Sequence, residues 1–160
     1  MKHKQNNHGF TLIELLVVIS IIGILSTLAV VSLNNARLKA RDTKRVSDMR
    51  QLQTALELFI SDRNGYPVAN NLTLGVGSGL TLSKDGEFAA TANGTLYMGK
   101  VPSNTIPGGA DYKYTSYTNS STSTVCNTAP CPWYEMTFTL EDQTGGLSAG
   151  AHTADPTGFN

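Results

Sequence analysis

The feature that most constrains this chain is an uninterrupted apolar run near its N-terminus. Nineteen consecutive residues, from Leu15 to Leu33, carry no charged side chain, whereas the sequence after Asn34 is polar and rich in Gly, Ser, Thr and Asn. A helix rises about 1.5 Å per residue, so the run would extend about 29 Å, close to the hydrocarbon thickness of a bilayer, about 30 Å. The run therefore predicts one membrane crossing and a chain of two dissimilar parts.

The residues before this run do not resemble an ordinary secretory signal. Residues 1–9, MKHKQNNHG, are short, polar and basic, and the apolar run begins only after them. A secretory signal has an apolar core of about 7 to 15 residues followed by a small-x-small cleavage site. The run here is about twice that core's length, and Ala29 is followed by valines. We therefore expect the apolar segment to be retained.

The residues after the apolar run predict that the helix continues with one apolar face. Residues 34–62 contain neither Pro nor Gly. Their apolar positions recur at the three-four spacing of an amphipathic helix: Val46, Met49, Leu52, Leu56, Phe59 and Ile60. Asn64, Gly65 and Pro67 then form a stop signal. We predict one helix from about residue 11 to residue 62, with a membrane half at residues 10–33 and an amphipathic half at residues 34–62.

Residues 66–160 are predicted to form a β-rich head. Trp133 to Leu140 alternates apolar and polar side chains with the period of a half-buried strand, and Tyr112 to Tyr117 and Leu96 to Val101 are weaker strand candidates. Two stretches rich in Gly, Asn, Ser and Thr are predicted to be long loops: residues 69–94 and 118–132. A head of this composition has a thin core, so we expect an α+β fold whose sheet packs on the apolar face of residues 46–60.

The cysteines and histidines indicate an exported protein without a zinc site. Cys126 and Cys131 lie close together downstream of the apolar run, which favours a local disulfide. Free thiols are the next interpretation. Two sulfurs cannot complete a four-ligand zinc site, and His152 is the only histidine outside residues 1–9.

Composition also argues against an enzyme and against a nucleic-acid-binding head. The sequence contains no Gly-x-Ser-x-Gly motif, no phosphate-binding glycine loop and no metal-ligand cluster. The formal net charge is zero, and loss of Lys2 and Lys4 with residues 1–9 would make it −2. Neither value predicts strong nucleic-acid binding. We therefore predict a non-catalytic protein.

The segment from Gly9 to Leu16, GFTLIELL, followed by VVISIIGIL, resembles the processing and polymerisation segment of type IV prepilins and type II secretion pseudopilins. A basic leader, a Gly-Phe junction, a Glu five residues into the trimmed chain and a long apolar run coincide here. The segment ending LELFISDRNGYP also resembles the outer half of a pilin helix, as in major pseudopilins. The resemblance covers about residues 1–67 well and the remainder only in general style.

This resemblance implies how the protein is processed, folded and located. A prepilin peptidase would cleave the leader, residues 1–9, between Gly9 and Phe10, and the Phe10 amine would be methylated. An assembly platform in the inner membrane would extract the chain into a helical filament, with itself or with minor pilins as partners. The implied location is a single-pass inner membrane protein with its head outside, and then a periplasmic or surface filament. The implied fold is pilin-like: one long helix with an antiparallel sheet of four or fewer strands on its outer half.

Glu14 has two interpretations. A carboxylate at the edge of an apolar run is costly unless it is paired, and cleavage would create a partner, the Phe10 amine of a neighbouring subunit, with a pKa near 8. Alternatively, Thr11 and Glu14 form a Thr-x-x-Glu capping box at the helix start. Glu14→Gln separates the two, because Gln still caps the helix without the charge.

Three further features bear on assembly. Ser20, Gly23 and Thr27 share one helix face, where another helix could approach closely, although small residues are also common in membrane helices. Many family members carry a proline at the position of Val31. Its absence here makes local melting of the helix during assembly less favourable, although Gly23 and Ser26 leave the helix some flexibility. The resemblance to major pseudopilins also raises calcium binding by a loop in the head, for which Asp85, Glu87 and Asp142 are the acidic candidates. The sequence has no EF-hand pattern, however, and we predict no cofactor.

Basic residues follow the apolar run, offset by Asp42 and Asp48: Arg37, Lys39, Arg41, Lys44, Arg45 and Arg50. A solvated face near anionic lipid headgroups, salt bridges between filament subunits, and contact with DNA are the interpretations, in that order. Basic residues on this flank conflict with a head outside the membrane under the positive-inside rule. The processing motif outweighs that conflict.

The sequence is therefore compatible with two functions of different class. The first is a structural subunit of a type IV pilus or a pseudopilus, which works by polymerising. The second is a non-polymerising surface domain held by a signal anchor and acting in binding or adhesion. An anchor has no use for a Gly9-Phe10 junction or for Glu14, so the sequence favours the filament subunit.

Overall fold

The computed structural model of the chain describes residues 9–104 and 106–160. Within them, one long α-helix, α1 (Leu12–Arg63), precedes eight short strands: β1 (Leu72–Thr73), β2 (Thr81–Ser83), β3 (Glu87–Ala89), β4 (Leu96–Met98), β5 (Lys113–Tyr117), β6 (Trp133–Leu140), β7 (Gly150–Asp155) and β8 (Gly158–Phe159). The chain divides into two units, Met1–Arg37 and Leu38–Asn160, called here the N-terminal unit and the head. The prediction of a single helix followed by a β-rich region is confirmed.

The end of α1 is fixed by the residues that follow it. Asn64 donates its N–H to the carbonyl of Ile60 (2.8 Å) and adopts a positive φ of 57°, a helix-terminating conformation that asparagine tolerates better than most residues. Gly65 lies so close to the 126–131 loop that a Cβ on it would come within 2.6 Å of Pro130 Cβ. The Asn64-Gly65 pair therefore ends the helix and lets the chain pass that loop.

The strands form two antiparallel sheets. The larger has the order β1-β5-β6-β7-β8, and the smaller has the order β3-β2-β4. The pilin-like α+β class is confirmed, but the expected limit of four strands is wrong, because the larger sheet alone has five. The interpretation of residues 69–94 as loop is also wrong in part, since β1, β2 and β3 lie there.

The core of the head lies between α1 and the larger sheet. Along β6, Tyr134, Met136, Phe138 and Leu140 are buried and alternate with half-buried residues, which is the pattern predicted from the sequence. The apolar face of α1 packs against them through buried side chains that belong to the same cluster: Val46, Met49, Leu52, Ala55, Leu56 and Phe59. The amphipathic half of the helix is therefore half of the core.

Candidate functional site

Thr11 and Glu14 form reciprocal hydrogen bonds at the start of α1. Glu14 Oε2 accepts from the Thr11 N–H (2.8 Å) and from the Thr11 hydroxyl (2.6 Å), and the Glu14 N–H donates to Thr11 Oγ1 (3.3 Å). This is a capping box, which satisfies two backbone donors that a helix start leaves open. Both Thr11 bonds end on one oxygen of Glu14, and a carboxylate can accept about four hydrogen bonds. Capping therefore leaves acceptor capacity on Oε1.

The Gly9-Phe10 junction lies just before this cap, in an exposed segment outside regular secondary structure. Phe10 is 86% exposed. A Cβ on Gly9 would meet no atom beyond its two chain neighbours within 4 Å in the described part of the chain. The junction is therefore open to an enzyme, whereas residues 1–8 of the predicted leader lie outside the described residues. Leader cleavage and methylation stay predictions.

The apolar side chains of the N-terminal unit are exposed. The α1 helix contains an 18-residue window of mean hydropathy 2.7, none of it buried, and by length and composition it is the one described helix that could cross a membrane. Phe10, Ile13, Glu14, Val17 and Val18 line a shallow groove of about 350 Å³ on its surface. The exposed carboxylate and the exposed Phe10 thus border the same apolar surface.

The small-residue face of α1 offers space rather than unpaired hydroxyls. The Ser20 hydroxyl donates to the Leu16 carbonyl and the Thr27 hydroxyl donates to the Ile24 carbonyl, both at 2.8 Å. Apart from the backbone of its own helix turns, a Cβ on Gly23 would meet no atom of the described residues within 4 Å. A second helix could approach along this face through van der Waals packing, which stays a prediction.

The basic residues after the apolar run do not form one solvated face. Arg45 and Asp42 are fully buried and joined by an ion pair of 2.5 Å, and Arg45 also pairs with Glu141 at 2.7 Å. Arg41 forms a two-bond pair with the same Glu141 carboxylate (2.8 and 2.6 Å). The interpretation as a solvated face is therefore wrong for Arg45, because its charge is neutralised inside the head.

This ionic cluster also joins separate parts of the head. Asp42 accepts the backbone N–H groups of Glu141 and Asp142 at 2.7 to 3.1 Å. The guanidinium groups of Arg41 and Arg45 lower the pKa of Glu141 to about 2, with the hydrogen bond from Arg41 as the largest cause. Arg and Asp side chains are almost never fully buried unless they are paired, and the helical periodicity could not identify this pair. The i,i+3 spacing of Asp42 and Arg45 was the only sequence signal.

Cys126 and Cys131 form a disulfide with a Cα–Cα distance of 5.8 Å. The Cys131 carbonyl accepts from the Tyr66 N–H (2.7 Å), just after α1 ends, and the Cys126 N–H donates to the Ser116 carbonyl on β5 (2.8 Å). The disulfide loop therefore links the end of the helix to the larger sheet.

The three candidate carboxylates for calcium have separate partners. Asp85 lies 3.8 Å from Arg63, Glu87 accepts the Val68 N–H at 2.7 Å, and Asp142 accepts the Gln143 N–H at 2.8 Å. Residues 9–104 and 106–160 contain no group of three or more His, Cys, Asp or Glu side chains placed to hold a metal ion. These residues do not fit a calcium site as they stand. The prediction of no cofactor, with calcium as the alternative, stays a prediction.

Comparison with known proteins matches the N-terminal segment to a family model described as the prokaryotic N-terminal methylation motif, over residues 4–30. The type II secretion system core protein G of Escherichia coli K12 is 36% identical over 112 residues, covering 70% of this chain and 74% of that protein. The protein of the same name from Vibrio cholerae serotype O1 is 30% identical over 94% of this chain and 92% of its own length. The type IV major pilin protein PilA of Myxococcus xanthus is 35% identical over 65 residues, which is 41% of this chain and 30% of that protein. No solved structure matches the chain significantly.

Proposed function

This chain belongs to the family of the type II secretion system core protein G, and from that membership we propose that it is a structural, non-catalytic subunit of a pseudopilus-like or pilus-like filament. It is trimmed between Gly9 and Phe10 by a prepilin peptidase, methylated on Phe10 and assembled through the N-terminal half of α1. Its partners are other copies of itself, minor pilins, and the assembly platform in the inner membrane. Nucleic acid is not among them.

The observation that carries this proposal is the position of the family match. Residues 4–30 contain the proposed cleavage junction and most of the apolar run Leu15–Leu33, whose large side chains no other described residue covers. Such a surface has to be covered in water, because exposed apolar patches of this size indicate a lipid or protein contact. The membrane covers it before assembly, and neighbouring helices cover it in the filament.

Glu14 connects the two states in this proposal. In the unassembled chain its Oε2 caps α1 through Thr11. Cleavage exposes an amine on Phe10 that is mostly protonated at neutral pH. Oε1 of one subunit then accepts from the Phe10 amine of a neighbour while the cap is kept. In a low-dielectric bundle this charge-assisted bond is stronger than in water, and methylation preserves the charge.

Intact mass measured separately on sheared filaments and on membranes of native cells tests the proposal. We expect chains that lack residues 1–9 and carry one methyl group on the Phe10 amine in the filament fraction. Gly9→Val is expected to leave a full-length chain in the membrane and no filaments. A full-length chain found only in the membranes of cells that process other prepilins would instead support the signal-anchored surface domain.

The role of Glu14 needs a separate comparison. Glu14→Gln keeps an oxygen that caps Thr11 but removes the charge, so we expect normal cleavage with little or no filament. Thr11→Val removes the hydroxyl from the cap and leaves the carboxylate, so filaments are expected to persist. If Glu14→Gln assembled as well as the unaltered chain, capping alone would explain this residue.

A further inference from the structure

The most exposed apolar side chain of the head lies on a loop near the buried ionic cluster. Ile106 is 93% exposed. An isolated exposed aliphatic residue is common on protein surfaces. The backbone that follows Ile106 is unusual, however, because the buried side chain of Arg45 and the half-buried side chain of Asn104 bond to it.

The backbone of residues 107–110 is held by Arg45 and Asn104. The buried Arg45 guanidinium donates to Asn104 Oδ1 (2.8 Å), to the Pro107 carbonyl (3.3 Å) and to the Gly108 carbonyl. Asn104 Nδ2 donates to the carbonyls of Gly108 (3.0 Å) and Ala110 (2.9 Å). Burying a guanidinium costs desolvation energy that only several good bonds offset. These bonds therefore hold the backbone that follows Ile106 against the head, while the Ile106 side chain itself lies in solvent.

A groove on the same head offers a place for such a side chain. Thr43, Val46, Ser47, Arg50, Thr144 and Gly145 line a space of about 280 Å³ between α1 and the 144–145 turn. Gly145 faces Val46, and a Cβ there would lie 3.8 Å from Val46 Cγ1. Short side chains and a glycine leave this space open. Ile106, being almost fully exposed, does not fill it in its own chain.

The charges beside the two features are complementary. Asp111 follows the loop and is exposed. Arg50 at the edge of the groove is also exposed, with its guanidinium 5.8 Å from the centre of the Phe159 ring, which orients it. A loop of one copy placed against the groove of another would bring an acidic group towards a basic one.

We propose that the 106–110 loop of one head docks into the 43–50/144–145 groove of a second copy of this chain, with Ile106 in the groove and Asp111 facing Arg50. The contact uses two different surfaces of the same chain, so it is heterologous. Repetition of a heterologous contact produces a ring or an open helix rather than a closed two-fold dimer. This inference rests on the proposed function and adds to it a head-to-head contact that sets the register of the filament.

Crosslinking between two singly altered full-length chains tests the contact directly. Ile106→Cys and Ser47→Cys chains are co-expressed, and their sheared filaments are treated with a short bismaleimide. We expect crosslinked dimers only when both chains are present, since neither chain alone carries both thiols. Val76→Cys paired with Ser47→Cys is the matched control, because Val76 is an exposed apolar residue (50%) elsewhere on the head. Equal dimer yields from the two pairs, or none from the first pair in intact filaments, would overturn the contact.

Filament yield gives a second readout. Ile106→Asp is expected to lower the yield about ten-fold, the effect of losing one buried aliphatic side chain from an association step, while Val76→Asp leaves it unchanged. Arg50→Glu should lower the yield, and Arg50→Glu combined with Asp111→Lys should restore it. Filaments from Ile106→Asp at the unaltered level would overturn the contact and leave the proposed function standing. Absence of filaments from the unaltered chain would overturn both.

Discussion

The two halves of α1 contain similar apolar residues that differ in burial. From Leu12 to Leu33 the large apolar side chains are exposed, whereas Met49, Leu52 and Phe59 are almost fully buried. The second half has one apolar face, and the strands of the head cover it. The first half is apolar around its whole circumference, and within one chain nothing in the described residues covers it.

The difference shows which apolar side chains are buried by folding of one chain and which are left to be buried by other molecules. Burial of a large aliphatic side chain is worth about 1.5–3 kcal/mol. The head obtains that gain by folding. The first half of α1 obtains it only from lipid or from other subunits, so the same residue type contributes to folding in one half and to assembly in the other.

The largest expected effect is the loss of stability when a buried apolar side chain of the second half of α1 is truncated, compared with an exposed one of the first half. Phe59→Ala leaves a cavity in the head and should lower its free energy of unfolding by about 3–5 kcal/mol. Leu25→Ala, in the exposed half, should leave that free energy within about 0.5 kcal/mol of the unaltered value. Urea unfolding of the full chain in detergent, followed by tyrosine fluorescence, measures both. Equal losses would mean that Leu25 is part of the head's folding unit.

A similar contrast applies to the basic residues. Arg45→Met leaves Asp42 and Glu141 without the guanidinium between them and should cost about 3–5 kcal/mol, because buried charges lose their compensation. Arg37→Met, in the N-terminal unit, removes a charge outside the head and should change the unfolding free energy by less than about 0.5 kcal/mol. The same urea measurement decides between them, and an undiminished stability of Arg45→Met would show that the cluster is not a structural element.

The disulfide gives an intermediate effect confined to the head. Cys126→Ser with Cys131→Ser opens a short loop, and the chain-entropy estimate for such a loop is about 2 kcal/mol. Far-ultraviolet circular dichroism during heating should show earlier loss of the sheet while helical signal from the N-terminal half persists in detergent. Simultaneous loss of both signals would contradict independent stabilisation of the two regions.

The smallest effect is a dependence of head stability on acid. The pKa of Glu141 is held at about 2, below its ordinary 4.5, by the hydrogen bonds from Arg41 and Arg45. A lowered folded-state pKa stabilises the head above the unfolded pKa, and that contribution is lost as pH falls from about 4.5 towards 2. Thermal unfolding of Glu141→Gln should show a weaker decline over this range than the unaltered chain. Identical pH profiles would show that Glu141 does not contribute to the acid dependence of head stability.

Periodicity predicted those parts of the fold for which the pattern of buried side chains repeats within one continuous stretch of sequence. The apolar spacing from Val46 to Phe59 and the alternation along β6 each indicated an element and its buried face. The strand β7 was missed because GAHTAD has neither alternation nor β-branched richness, and it is held by pairing with β6. The Arg45 cluster was missed for a related reason: only the folded chain brings Glu141 and Asn104 to that side chain.

The edges of the larger sheet have a consequence for crowded heads. Its outermost strands, β1 and β8, contain two residues each. Long unpaired edges recruit strands from other chains, and short edges suppress that recruitment. A polymer holds its subunits at a very high effective concentration. At such a concentration, even weak pairing between exposed edge strands of neighbouring heads would lead to cross-β aggregation. With short edge strands, the geometry of the polymer is set by helix and loop contacts. Neighbouring heads can then lie side by side and still separate as folded domains.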